Sequence, residues 1–91
     1  MQPQIQPIKL LIVDDSLFIR SSLKKILSVP DIQIVDTASN GKEAIEKNLL
    51  YKPDIILLDV EMPVMDGLQA LKQIMATQPT AVLMFSSLPC S

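Results

Sequence analysis

Four short apolar runs punctuate the chain, and between them apolar residues recur at helical spacing. Ile8-Lys9-Leu10-Leu11-Ile12-Val13 is β-branched and aliphatic and stops at Asp14-Asp15. A near-continuous run of that length suits a strand buried on both faces, as in a parallel sheet. From Ser16 to about Leu27, the residues Leu17, Ile19, Leu23, Ile26 and Leu27 fall mostly on one helical face, with Arg20, Lys24 and Lys25 on the other. Asp15 or Ser16 can cap this helix, and Pro30 bars its continuation. Ile32-Gln33-Ile34-Val35 alternates and continues weakly to Ala38, which predicts a second strand near an edge. Asn40-Gly41 signals a turn into a helix over Lys42 to about Leu50, with Ala44, Ile45 and Leu49 inward, ended by Tyr51-Lys52-Pro53.

The second half repeats the scheme. Asp54-Ile55-Ile56-Leu57-Leu58-Asp59 predicts a third strand, and Val60 to Asp66 a loop. Asp66-Gly67 opens a third helix with Leu68, Leu71, Ile74 and Met75 on one side, closed by Gln78-Pro79. Ala81-Val82-Leu83-Met84-Phe85 predicts a fourth strand, followed by Ser86-Ser87. The order is β-α-β-α-β-α-β, which argues an α/β fold with a parallel sheet and right-handed crossovers.

Composition narrows the chemistry. Ninety-one residues make one domain at most, and 48% apolar with 3% aromatic residues means an aliphatic core. A net charge of −2 does not suit a nucleic-acid binder. No apolar run approaches the roughly 18 residues of a membrane span, and the Gln- and Pro-rich lead over residues 1–7 does not read as a signal peptide, so a cytoplasmic setting is expected. The single Cys90 excludes an internal disulfide framework. The absence of histidine excludes Ser-His and Cys-His catalysis within this chain, and any His-ligated metal.

Ligands of open α/β sheets bind beyond the carboxyl ends of the strands. The first strand ends in Asp14-Asp15, the third in Asp59 and the fourth in Ser86. If those strands are neighbours, three carboxylates and a hydroxyl meet at one rim. A hard cation on oxygen ligands would balance them, with Mg²⁺ as the default. A carboxylate beside Mg²⁺ can attack phosphorus to give an aspartyl phosphate, and a nearby hydroxyl can sense the new charge. The plainer alternatives are that Asp14-Asp15 caps the first helix, that Asp59 is an ordinary loop acid and that Ser86-Ser87 is a turn.

Val13-Asp14-Asp15-Ser16, Pro53-Asp54 through Asp59, Met62-Pro63-Val64-Met65-Asp66-Gly67 and Phe85-Ser86 together resemble the receiver domain of two-component response regulators. The wording Asp59-Val60-Glu61-Met62-Pro63, Leu68 to Met75 and Ser86-Ser87-Leu88 is most similar to the receiver half of the chemotaxis methylesterase response regulator. The resemblance implies a flavodoxin-like sheet with strand order 2-1-3-4-5. It implies Asp59 as phosphoacceptor, Asp14 and Asp15 as Mg²⁺ ligands with Asp59, the Glu61 backbone carbonyl completing the metal shell, and Ser86 as switch hydroxyl. It also implies a fourth helix, a fifth strand ending in a lysine and a fifth helix. These 91 residues are not matched to those parts, and no lysine follows Lys72. The expected organisation is a disordered lead over 1–7 and an incomplete receiver domain over 8–91.

The function implied is Mg²⁺-dependent acceptance of a phosphoryl group from a partner histidine kinase onto Asp59 in chemotaxis-type signalling. That is a regulatory role rather than an enzyme's, because the esterase half of the resembled family is absent. The alternative is a truncated, non-phosphorylatable fragment acting as a protein-interaction module or a relic. No nucleic acid or membrane partner is expected. The uncharged fourth strand, Ala81 to Phe85, would leave an apolar edge that invites self-association.

Overall fold

In the computed structural model, which describes residues 6–62 and 65–86, seven elements alternate along the chain. They are β1 (Ile8–Val13), α1 (Leu17–Ile26), β2 (Ile32–Ala38), α2 (Gly41–Tyr51), β3 (Ile55–Asp59), α3 (Gly67–Thr77) and β4 (Ala81–Phe85). The four strands form one parallel sheet in the order β2-β1-β3-β4. This is the expected (βα)3β flavodoxin-like arrangement, with β2 at an edge. The β1–β2 ladder shifts register between Leu10 and Leu11, pairing Leu10 with Ile34 but Leu11 with Asp36, so Val35 is skipped.

β1 lies between two partners, and its near-continuous apolar run follows from that position. Leu11, Ile12 and Val13 are fully buried. Strand alternation sends Leu11, Val13, Ile56 and Leu58 to one face, where they meet Ala44 of α2 and Ala70 and Ile74 of α3. The opposite face is thinner. Ile8, Leu10, Ile55, Leu57 and Leu83, with Ile32 and Leu27, line an open apolar trough of about 190 Å³. No residue of α1 is buried. Leu17 and Ile26, on the apolar side of the helical pattern, are each 70% exposed, and Leu49, expected inward, is exposed along with Leu68 and Met75. The helical period correctly marks amphipathic helices, but these three rest on the sheet through narrower stripes than the apolar residues could fill.

Each helix starts on a side-chain cap. The Ser16 hydroxyl accepts from the Ile19 N–H at 3.2 Å, the Asn40 side chain from Glu43 at 2.9 Å, and Asp66 from Gln69 at 2.8 Å. Glu43 reaches back to accept from the Ser39 N–H and hydroxyl, at 3.2 and 2.8 Å, a reciprocal arrangement that fixes the entry to α2. Asn48 of α2 is fully buried. Its amide donates to the Gln78 carbonyl at 2.8 Å and its oxygen accepts from the Thr80 hydroxyl at 2.9 Å, tying α2 to the turn between α3 and β4. Among the described residues no helix is long and apolar enough to cross a membrane.

Candidate functional site

The parallel register places the strand ends side by side. Val13 pairs with Leu58, so Asp14 follows β1 where Asp59 closes β3. Asp59 in turn pairs with Phe85, and the Val60 N–H donates to the Phe85 carbonyl at 2.9 Å. Ser86, exposed, comes next in the chain. The Asp14 N–H donates to the Ala38 carbonyl at 3.0 Å, which carries the rim across to β2. Asp14 and Asp59 are buried and Asp15 is exposed. One carboxylate oxygen from each of Asp14, Asp15 and Asp59 lies within 4.8 Å of the others. Glu61 is exposed, and its backbone N–H donates to Asp59 Oδ1 at 3.2 Å.

Asp59 is electrostatically uncomfortable. Burial pushes its carboxyl above the ordinary value, and the charges of Asp14, Asp15 and Glu61 push it further, while the Glu61 N–H bond only partly offsets them. Its Oδ2 is buried with no hydrogen-bond partner among the described residues, a costly state for a polar atom. A cation bound among these oxygens would relieve both penalties. The donor set is carboxylate oxygen with no histidine or cysteine in it, which fits a hard divalent ion such as Mg²⁺ and not a soft metal.

The surrounding backbone is tightly built. The Gly67 N–H donates to the Val60 carbonyl at 2.8 Å, closing the β3–α3 loop onto the start of α3. Gly41 gives the Met65 side chain its seat, since a Cβ there would come within 2.8 Å of Met65 Cβ. Asp14 Oδ1 accepts from the Ser16 N–H at 2.8 Å, so Ser16 is the cap of α1 and Asp14 braces the turn before it. Sequence reasoning missed Arg20. It reads as part of a solvated helix face, yet Nη1 donates to the Asp14 carbonyl at 2.6 Å. The available signal was its position one helical turn after Ser16. Residues 1–5 of the expected lead, Pro63 and Val64 of the site loop, and Ser87, Leu88 and Cys90 lie outside the described residues.

Residues 10–88 match the response regulator receiver domain. Over 82 residues the chain is 58% identical to a protein-glutamate methylesterase/protein-glutamine glutaminase of Hahella chejuensis, covering 89% of this chain and 21% of that protein. It is 56% identical over 80 residues to the corresponding Archaeoglobus fulgidus protein, covering 88% of this chain and 23% of that one. The chain thus spans about a fifth of the length of these relatives. Among solved structures it is similar to the response regulator domain of Thermotoga maritima CheB, with a TM-score of 0.87 and 50% identity over 91% of this chain and 63% of that one. It is also similar to a chain of the CheX–CheY–BeF3–Mg²⁺ complex from Borrelia burgdorferi, with a TM-score of 0.82 and 41% identity over 90% of this chain and 63% of that one.

Proposed function

The chain belongs to the response regulator receiver domain family, and on that footing we propose that it accepts a phosphoryl group on Asp59 from a partner histidine kinase in chemotaxis-type signalling. The observation that carries this reading is the buried Asp59 carboxylate, whose Oδ2 has no hydrogen-bond partner among the described residues, in one cluster with Asp14 and Asp15. Mg²⁺, when bound by Asp14, Asp15, Asp59 and the Glu61 carbonyl, would neutralise charge on the transferring group and help align it. In the transfer, a carboxylate oxygen of Asp59 attacks phosphorus and forms the new O–P bond. The P–N bond of the donor phosphohistidine breaks, and its electron pair stays on the imidazole, which takes up a proton.

The scaffold's own part is positioning. The Glu61 N–H orients Asp59 through Oδ1. The Val60–Phe85 bond holds the fourth strand's end against the β3–α3 loop, and Ser86 follows next in the chain, where its hydroxyl would take the switch role by donating to a phosphoryl oxygen. A chain 41% identical to this one occurs in the CheX–CheY–BeF3–Mg²⁺ complex from Borrelia burgdorferi, which supports a Mg²⁺-linked reading here. The role is regulatory, in a cytoplasmic setting. The methylesterase activity of the full-length relatives is not assigned to these 91 residues, which contain no histidine.

A second contact is proposed at the sheet edge. Among the described residues β4 pairs only with β3, Leu83 on it is 62% exposed, and no charged residue lies between Thr80 and Phe85. Such an edge can pair with a second copy. Sedimentation velocity would show concentration-dependent association that Leu83→Lys reduces; identical monomeric profiles would contradict it.

The phosphoacceptor reading is tested by intact-mass spectrometry after incubation with acetyl phosphate and Mg²⁺. A labile gain of one phosphoryl group, lost without Mg²⁺ and in Asp59→Asn, supports it. No gain in a folded chain would instead favour an interaction fragment without phosphoryl chemistry.

A further inference from the structure

The β1 ladder stops at Val13, one residue short of the acids it delivers. Beyond it the backbone depends on individual bonds. The Asp14 N–H is held by the Ala38 carbonyl at 3.0 Å, and the Asp14 carbonyl by Arg20 Nη1 at 2.6 Å. That carbonyl belongs to the peptide joining Asp14 to Asp15, so fixing it fixes the backbone on which the Asp15 carboxylate hangs. The bond is charge-assisted and short, which makes it one of the stronger kinds. It also has little competition. No residue of α1 is buried, so hydrophobic packing holds this helix to the rim only weakly.

We infer that Arg20 is a positioning residue for the cation site, a strap that holds the Asp14–Asp15 peptide so that Asp15 joins Asp14 and Asp59 in one cluster. The inference rests on the reading of that cluster as a Mg²⁺ site. A guanidinium near three carboxylates repels a cation, so losing its charge alone would tighten Mg²⁺ binding. Losing the strap would weaken it. The two explanations predict opposite signs for the same substitution.

The test is a Mg²⁺ titration of the 91-residue chain, followed by amide ¹H–¹⁵N shifts, for wild type, Arg20→Gln and Arg20→Lys. Each is measured well below its own unfolding midpoint. Arg20→Gln should bind Mg²⁺ about tenfold more weakly or worse, in the range seen when an outer-shell partner is lost. Arg20→Lys, which keeps the charge and N–H donors but not the planar fork, should fall between it and wild type. Binding by Arg20→Gln equal to or tighter than wild type would overturn the inference. If circular dichroism shows Arg20→Gln unfolded, Arg20→Lys decides: weaker binding supports the strap, and wild-type affinity overturns it. A wild-type chain with no saturable Mg²⁺ response would sink the cation reading and the inference together, whereas wild-type binding with an unaffected Gln variant sinks the inference alone.

Discussion

Gly67 packs so closely against Asp59 that a Cβ on the glycine would lie 2.7 Å from the Asp59 carbonyl oxygen. The Val60 Cα would be 2.8 Å away, and both neighbours are backbone, so neither can swing aside. Gly67→Ala must therefore move the start of α3 away from the end of β3. Overpacking of this kind costs about 1–3 kcal/mol, and each 1 kcal/mol is worth roughly 4–8 °C in a domain of this size. Thermal unfolding followed by circular dichroism should show that loss, and the same variant should take up phosphoryl groups more slowly. An unchanged midpoint would mean the loop tolerates the shift.

Asp59 pays the opposite kind of penalty. Its carboxyl is pushed up by burial first and by neighbouring acids second, so at neutral pH the ionised form is less favourable in the folded chain than in the unfolded one. Asp59→Asn removes that charge and should raise the melting midpoint in metal-free buffer, by on the order of 1 kcal/mol for relief of one poorly satisfied buried group. Added Mg²⁺ should then raise the wild-type midpoint through preferential binding to the folded state, and leave Asp59→Asn nearly unmoved. A midpoint lowered by Asp59→Asn in metal-free buffer would show that the charge is better accommodated than its surroundings indicate.

The element order was legible because it rests on local signals. The largely apolar runs at Ile8–Val13 and Ala81–Phe85 appear as β1 and β4 with the expected bounds, and Asp66-Gly67 does open α3. The convergence of Asp14, Asp15 and Asp59 was legible too, because parallel strands put all their carboxyl ends on one rim. What depends on distant chain was not. Asn48 looks like a surface residue of α2, and its burial is decided by where the Gln78–Thr80 turn lands, some thirty positions away. Arg20 looks solvated until the turn at Asp14 presents a carbonyl to it. Leu17 and Ile26 carry the helical period but face outward, since periodicity gives a helix an apolar stripe without saying how much of it the sheet will cover.

Glu43 supplies a pH dependence remote from the acid cluster. Hydrogen bonds from the Ser39 hydroxyl and N–H hold its carboxyl below the ordinary value, with Lys47 and Arg20 adding attraction. A depressed carboxylate contributes stability that is fully present above its unfolded value of 4.5 and is lost as pH falls through the folded value. Glu43→Gln should therefore lower the midpoint at pH 7 and lose less than wild type on acidification below pH 4.5. Parallel melting curves of the two proteins across that range would contradict the assignment.

The central claim is that Asp59 and no other acid of the cluster is the phosphoryl acceptor. Acyl phosphates are reduced by borohydride to the alcohol, which marks an aspartyl phosphate as homoserine. The chain should be treated with acetyl phosphate and Mg²⁺, reduced, digested and mapped by mass spectrometry. The account predicts homoserine at position 59 alone, with Asp14 and Asp15 intact. Homoserine at position 14 or 15, or none in a chain whose fold and Mg²⁺ binding are intact, would contradict it.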